Sequence, residues 1–336
     1  MVVQKDGSIR LKTIAEKVFS TQELLILIPL IILCIAAVIK NPNFMDMQNI
    51  GAMAKALAPW GLLAIGESLI IIGGEIDISV GSATSLGITF FGNAIVNWHM
   101  SVLPAFIVTV ALTVTLSSIN GYFVIYKKVP AFLSSIAMLY VCKGSASAIT
   151  NGHQIMLSSP DLEPVTGGFI QFAQQEFFNL NWMVVFFIVL IIIFHFVLKK
   201  TPFGSRLYAV GDNKHVAQIA GIDVNKIKML AYVISGCLIA LAAIMIAGRE
   251  GVSSPKYGEG WELTVIAATA IGGISLVGGS GTMIGTMIGA FIMAVISNVM
   301  ILFQVNQHYQ SVILGVIIVL SVILDDQRRK RLLGEH

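Results

Sequence analysis

The chain has 336 residues, of which 56% are apolar and only 12% charged, with a net charge of +3. Ordinary soluble domains carry about 25% charged residues, and a mean hydropathy of +0.85 excludes a single water-soluble core. The apolar runs are long and continuous rather than alternating, which points to helices and against a β-barrel. At about 20 apolar residues per helix, the chain has room for about ten spans.

Residues 1–22 are polar and carry four basic side chains. The apolar run from Leu24 lacks a small-residue cleavage site, so it reads as a retained first span. The predicted spans are approximately 24–39, 52–73, 80–97, 102–126, 129–149, 183–198, 229–247, 262–278, 282–303 and 310–324. Two connections are long: 150–182, which has no Lys or Arg, and 199–228, which is basic. With the N-terminus inside, 16 basic residues fall in inside segments (1–22, Lys127–Lys128, 199–228 and 328–331). Only three, Lys40, Arg249 and Lys256, fall outside. The positive-inside rule therefore predicts both termini inside. The tail at 327–336 carries Arg328, Arg329, Lys330 and Arg331 and reads as a topology anchor on anionic headgroups.

No phosphate-loop, HExxH or GxSxG pattern occurs, so no catalytic residue is assigned. The glycine run Gly279 to Gly285 misses the nucleotide fingerprint, because its third glycine is one residue late and no strand precedes it. Cys34, Cys142 and Cys237 fall inside predicted spans without ligand spacing, so they read as free thiols. His153 and His308 are unpaired, and no metal site is expected. Gly281, Gly285 and Gly289 recur every fourth residue, a stripe that lets another helix approach closely.

The segment Gly73 to Gly81 echoes Gly272 to Gly279; a duplicated helical unit and chance convergence both explain the echo. Glu75 and Asp77 are costly in lipid and either face a cavity or sit wetted at the inner boundary, capping the helix that begins near Ser79. Asn120 and Asn298 serve either helix packing or contact with a solute. Arg249, Glu250, Lys256 and Glu259 form a mixed-charge outer segment before Trp261, either a partner contact or a solvated loop. In the basic connection, Asp212 or Asn213 can cap a short helix from Lys214 to Ala220, with Gly221 at its C-terminal turn. Val216, Ile219 and Ala220 then share one face, suited to a partner's groove or to the lipid interface.

Three ordered blocks carry a family resemblance. Gly73-Gly74 followed by Asp77-Ile78-Ser79-Val80-Gly81 resembles the signature of ribose, xylose, galactose and autoinducer-2 permeases. Phe203-Gly204, Tyr208 to Asn213, Ala217 and Ala220-Gly221-Ile222 are similar to that family's ATPase-docking loop. Glu262-Leu263, Ile266 to Ala268, Gly272 to Thr282 and Gly289-Ala290 resemble its C-terminal half.

The resemblance implies an all-α integral membrane fold of the type II ABC importer kind, with a permease domain at 23–326. It implies docking of an ATPase on 199–228, through Gly204, Arg206, Gly211, Asn213, Val216, Ala217, Ala220 and Gly221. Glu75, Asp77, Ser79, Asn120 and Asn298 are the pathway or gate candidates. Expected partners are a cytoplasmic ATP-binding subunit, a periplasmic or extracellular sugar-binding protein, a second permease subunit and membrane lipid, with no nucleic acid. This chain would bind no cofactor, ATP and Mg residing on the ATPase, and would sit in the bacterial inner membrane. Another solute of the same superfamily, such as a branched-chain amino acid, nucleoside or autoinducer-2, and an ion-coupled transporter using Asp77 are the competing expectations.

Overall fold

A computed structural model describes residues 31–32, 34–177, 180–306 and scattered positions from 309 to 319. The segments 1–22 and 327–336, part of the predicted span at 24–39 and most of that at 310–324 lie outside the described residues.

The first half contains α1 (Met47–Ile72), α2 (Val80–Val96), α3 (Val102–Ile125), α4 (Ala131–Thr150) and α5 (Glu163–Gln174). The second contains α6 (Trp182–Lys200), α7 (Pro202–Asp212), α8 (Lys214–Ile219), α9 (Val224–Glu250), α10 (Trp261–Ile271) and α11 (Met283–Leu302). Six of these, α1, α3, α4, α6, α9 and α11, are long and apolar enough to cross a membrane, while α2 and α10 are apolar but shorter. The described residues also include two short antiparallel strand pairs: Ile155–Met156 with Val252–Ser253, and Glu176–Phe177 with Leu180–Asn181.

From Ala58 to Gly73, α1 and its cap are buried except at Trp60; a helix apolar all round belongs in the centre of a bundle. It packs against α6, α9, α10 and α11. Glycines permit the closest approaches: a Cβ on Gly61 would strike the Phe187 ring, and one on Gly66 would strike Ser235. The outer helices instead expose apolar side chains such as Leu103, Ile107, Ile192 and Phe196, the pattern expected where lipid is the solvent.

Two helices are interrupted, and the interruptions mirror each other. At the end of α1, Gly74 adopts φ +80°, the amide of Gly74 donates to Ile71 O, and that of Glu75 donates to Ile70 O. This glycine-closed turn satisfies the last carbonyls of the helix. The chain then turns back, runs through 75–79 without helix and starts α2 at Val80. At the opposite end of the bundle α9 stops at Gly251, φ +64°, and 252–260 doubles back along α2. Ser253 lies against Gly92, Ser85 Oγ donates to Pro255 O at 2.7 Å, and Gly258 lies against Gly81. Helix α10 therefore begins at Trp261 within the bundle, where the Glu262 carboxylate abuts Gly81.

The span expected at 262–278 is corrected on this point. Its helix ends at Ile271, because Gly273 takes φ +78° and Gly273 N and Ile274 N donate to Ala270 O and Thr269 O. These are the same bonds that close α1, so the echo between Gly73-Gly74 and Gly272-Gly273 is structural. Likewise, 252–260 is not an outer loop. Irregular backbone at membrane depth is tolerated where protein covers it, and α2 covers much of this segment.

Candidate functional site: a docking element joined to two glycine turns

The basic connection folds as two short helices. Thr201 caps α7 through Gly204 N, and Asn213 caps α8 by accepting from His215 N at 3.0 Å and Val216 N at 3.1 Å. The cap belongs to Asn213 rather than Asp212, which is the last residue of α7. Gly221 closes α8 with φ +78°. Ala217 turns inward, whereas Val216 and Ile219 are 59% and 75% exposed; Ala220 and Arg206 are also exposed. A capped turn presenting branched apolar side chains to the outside has the form of an insert for a partner's groove.

Through its other side this element is fastened to two glycine turns, the one that ends α1 at Gly73-Gly74 and the one that follows α10 at 272–281. Gly204 packs on the Leu198 backbone, leaving no room for a Cβ. Gly211 sits against Ile72 O and Gly279 N, while Gly279 N itself donates to Ile72 O at 2.9 Å. Gly278 lies against both Gly74 and Gly211. Tyr208 Oη donates to Gly281 O at 2.7 Å, and burial pushes its phenol pKa up. Five close approaches of backbone to backbone thus converge where α7 meets the two glycine turns. Such contact transmits displacement directly, because no side chain intervenes to repack.

Above that junction lies a buried polar cluster. Asp77 Oδ1 accepts from Ser79 N at 2.8 Å and from Ser79 Oγ at 2.5 Å, starting α2, and Asp77 N donates to Glu67 Oε1 at 3.0 Å. Asn120 lies beside Asp77 and accepts from Ser134 Oγ at 2.6 Å. Glu67, Asp77 and Asn120 are wholly buried. Glu75 pairs with Lys228 Nζ at 2.6 Å, tying the break to α9.

Four of the five pathway candidates from the sequence, Glu75, Asp77, Ser79 and Asn120, therefore gather around one break. Asn298 does not join them. Its amide exchanges hydrogen bonds with Asn49 at 2.7 and 3.1 Å, near the start of α1. Within the glycine stripe, Gly285 and Gly289 face the backbone of Gly272 and Ala268. Gly281 is corrected: it precedes the helix with φ +138°, because Thr282 is the cap of α11 and accepts from Gly285 N.

Sequence reasoning passed over Glu67, Lys228 and the ion pair between Lys143 and Glu259. Glu67 was visible as the one acid within the apolar run of α1, and Lys228 as a base inside the first turns of α9. Among the described residues, no three His, Cys, Asp or Glu side chains come together as a metal site would require.

Apolar spanning helices, two of them interrupted within the bundle, with a surface helix pair locked to the glycine turns that follow α1 and α10, define a polytopic membrane protein of the transporter class. The family described as branched-chain amino acid transport system / permease component matches residues 49–322, and the chain belongs to that family. It is 34% identical to the ribose import permease protein of Bacillus subtilis, over 89% of this chain and 91% of the relative. Against the ribose import permease protein of Escherichia coli K12 the figures are 29%, 90% and 93%. Against the xylose transport system permease protein of Haemophilus influenzae they are 27%, 90% and 95%. No solved structure matches at a significant level. As a permease component the chain is a transport subunit and not an enzyme.

Proposed function

We propose that this chain is the membrane-spanning subunit of an ATP-driven importer for a monosaccharide or similar small polyol. The observation that carries the reading is the capped α8 helix. It exposes Val216 and Ile219 on one side, while the adjoining α7 is locked through Gly211 to Ile72 and Gly279 on the other. An ATPase seated on Val216 and Ile219 would move the glycine turns after α1 and α10 together. Transport then needs no reactive residue, only a change in the relative stability of two conformations. The names of the ribose and xylose relatives support a sugar as cargo.

In this reading the chain spans the membrane about ten times with both termini inside, supported by 16 basic residues in the inside segments against Lys40 and Arg249 outside. It sits in a bacterial inner membrane with a second permease subunit, receives solute from a binding protein outside, and leaves ATP and Mg to its ATPase. Glu75, Asp77, Ser79 and Asn120 act as gate residues, holding the break whose end the docking element touches.

Reconstitution with the ATPase and binding protein tests the reading. ATP-dependent uptake of labelled ribose or xylose is expected. Uptake that persists without both partners, driven by a sodium or proton gradient, would replace it with an ion-coupled mechanism. The family description favours one other cargo, a branched-chain amino acid, which the same vesicles would reveal by competition.

A further inference from the structure

Lys143 and Glu259 form an ion pair with side chains 50% and 52% exposed, and its position along the helices makes that exposure informative. At 1.5 Å per residue, Lys143 lies about 18 Å along α4 from Ala131. Glu259 lies just before α10, whose eleven residues place it about 16 Å or more from the glycine turn at Gly272. The two distances run from the same end, since Ser134 bonds Asn120 beside Asp77 near the docking junction. The pair therefore sits near mid-depth, on the outside of the chain. The backbone around it is also uncovered: Gly260, with φ +79°, and Gly144 have no neighbouring atoms where a side chain would project.

Lipid does not tolerate this surface. Charged side chains at membrane depth face a partner or a water-filled cavity, and exposed irregular backbone at that depth occurs only in protein or beside water. The faces of α3 and α6 present Ile107, Ile119, Phe123, Ile188, Ile192 and Phe196 instead, which suits lipid. Trp261 lies beside the pair and meets Trp60 edge to face at 6.2 Å, giving an apolar wall next to a donor and an acceptor.

We propose that Lys143, Glu259 and Trp261 line the aqueous solute pathway at mid-membrane, facing the second permease subunit across water, as a transient contact site for a neutral polyhydroxylated solute. The ammonium donates to a hydroxyl oxygen, the carboxylate accepts from a hydroxyl hydrogen, and the indole covers the C–H face. The inference rests on the importer reading for its solute but not for its aqueous face. Because both side chains are half exposed, a passing hydroxyl can replace one ionic contact without stranding a buried charge.

Single-cysteine variants in the assembled transporter test it, after Cys34, Cys142 and Cys237 are replaced. Gly144→Cys and Glu259→Cys are expected to react with a membrane-impermeant methanethiosulfonate at least tenfold faster than Ile107→Cys. Reaction of Gly144→Cys only with a lipid-soluble maleimide would assign the face to lipid, and reaction with neither reagent would assign it to a sealed interface. Either overturns the proposal. Lys143→Gln and Glu259→Gln are expected to lower ATP-dependent uptake of labelled ribose or xylose at least fivefold with ATPase co-purification unchanged; normal uptake by both would overturn the solute contact. If wild-type vesicles lack ATP-dependent uptake while Gly144→Cys still reacts with the impermeant reagent, the importer reading fails and the aqueous face stands.

Discussion

The Cα of Gly211 rests against the carbonyl oxygen of Ile72, in the space where any other residue would place its Cβ. That contact ties the docking element to the end of α1. Gly211→Ala is expected to destabilise the protein by about 1–3 kcal/mol, the usual penalty of forcing extra volume into a close-packed site. Thermal unfolding of the detergent-solubilised complex measures it, and an unchanged midpoint would contradict the tight junction. Ile219→Asp, at a side chain 75% exposed, is expected to leave the midpoint unchanged and abolish ATPase co-purification.

Asn213 accepts two backbone amides at the start of α8. Asn213→Ala is expected to cost about 1 kcal/mol of local helix stability, and Asn213→Asp much less. The readout is hydrogen exchange over 214–220: faster exchange in the alanine variant alone supports the cap, whereas equal exchange in both variants removes it.

Lys228 and Glu75 bridge α9 and the first break with side chains 9% and 22% exposed. Lys228→Met leaves a carboxylate without its cation, and a loss of up to about 3 kcal/mol is expected, toward the low end for buried pairs because Glu75 keeps some water. The doubly altered Lys228→Met, Glu75→Met protein should regain much of that stability. A double variant no more stable than the single one would show the two side chains acting independently.

Glu67 Oε1 accepts the amide of Asp77 inside the bundle. Glu67→Leu strands that amide, at a cost of about 1–3 kcal/mol, whereas Glu67→Gln keeps a carbonyl acceptor. Uptake should therefore survive in the glutamine variant and fall sharply in the leucine variant. Equal loss in both would mean that the carboxyl group itself, rather than its acceptor oxygen, is needed.

Tyr208 donates to Gly281 O, and burial raises its pKa above the ordinary tyrosine range. A raised folded-state value means the contribution is complete below the unfolded pKa of about 10 and is lost as pH rises through the folded value. The stability difference between wild type and Tyr208→Phe should be flat from pH 6 to 9 and shrink only above about pH 10. A decline near neutrality would contradict the protonated donor.

Local features of this molecule were legible in the sequence because neighbours along the chain create them. The Asn213 cap, the Gly221 turn and most span boundaries depend on residues a few positions apart. The break at 252–260 was not legible. Residues 252–260 have the composition of a surface loop, and only the approach of Gly258 to Gly81 and of Pro255 to Ser85 reveals that they enter the bundle. Asp77 stood out as a polar residue, but its partner Glu67 lies ten residues earlier in a run that reads simply as apolar. Asn298 likewise showed its polarity in sequence, while its partner Asn49 lies on a distant helix.

The meeting of Gly81 with Gly258 also has a consequence for how the protein is made. The stretch at 75–79 cannot rest alone against lipid, yet the segment that lies against the start of α2 is translated about 180 residues later. At roughly 5–20 residues per second, that is a wait of about 10–35 s during which the first half must be sheltered by the insertion machinery or a chaperone, or held outside the bilayer. A nascent chain released before Gly258 emerges should therefore be a substrate for membrane proteases, and completion of the second half should be the step that commits the first to the bilayer.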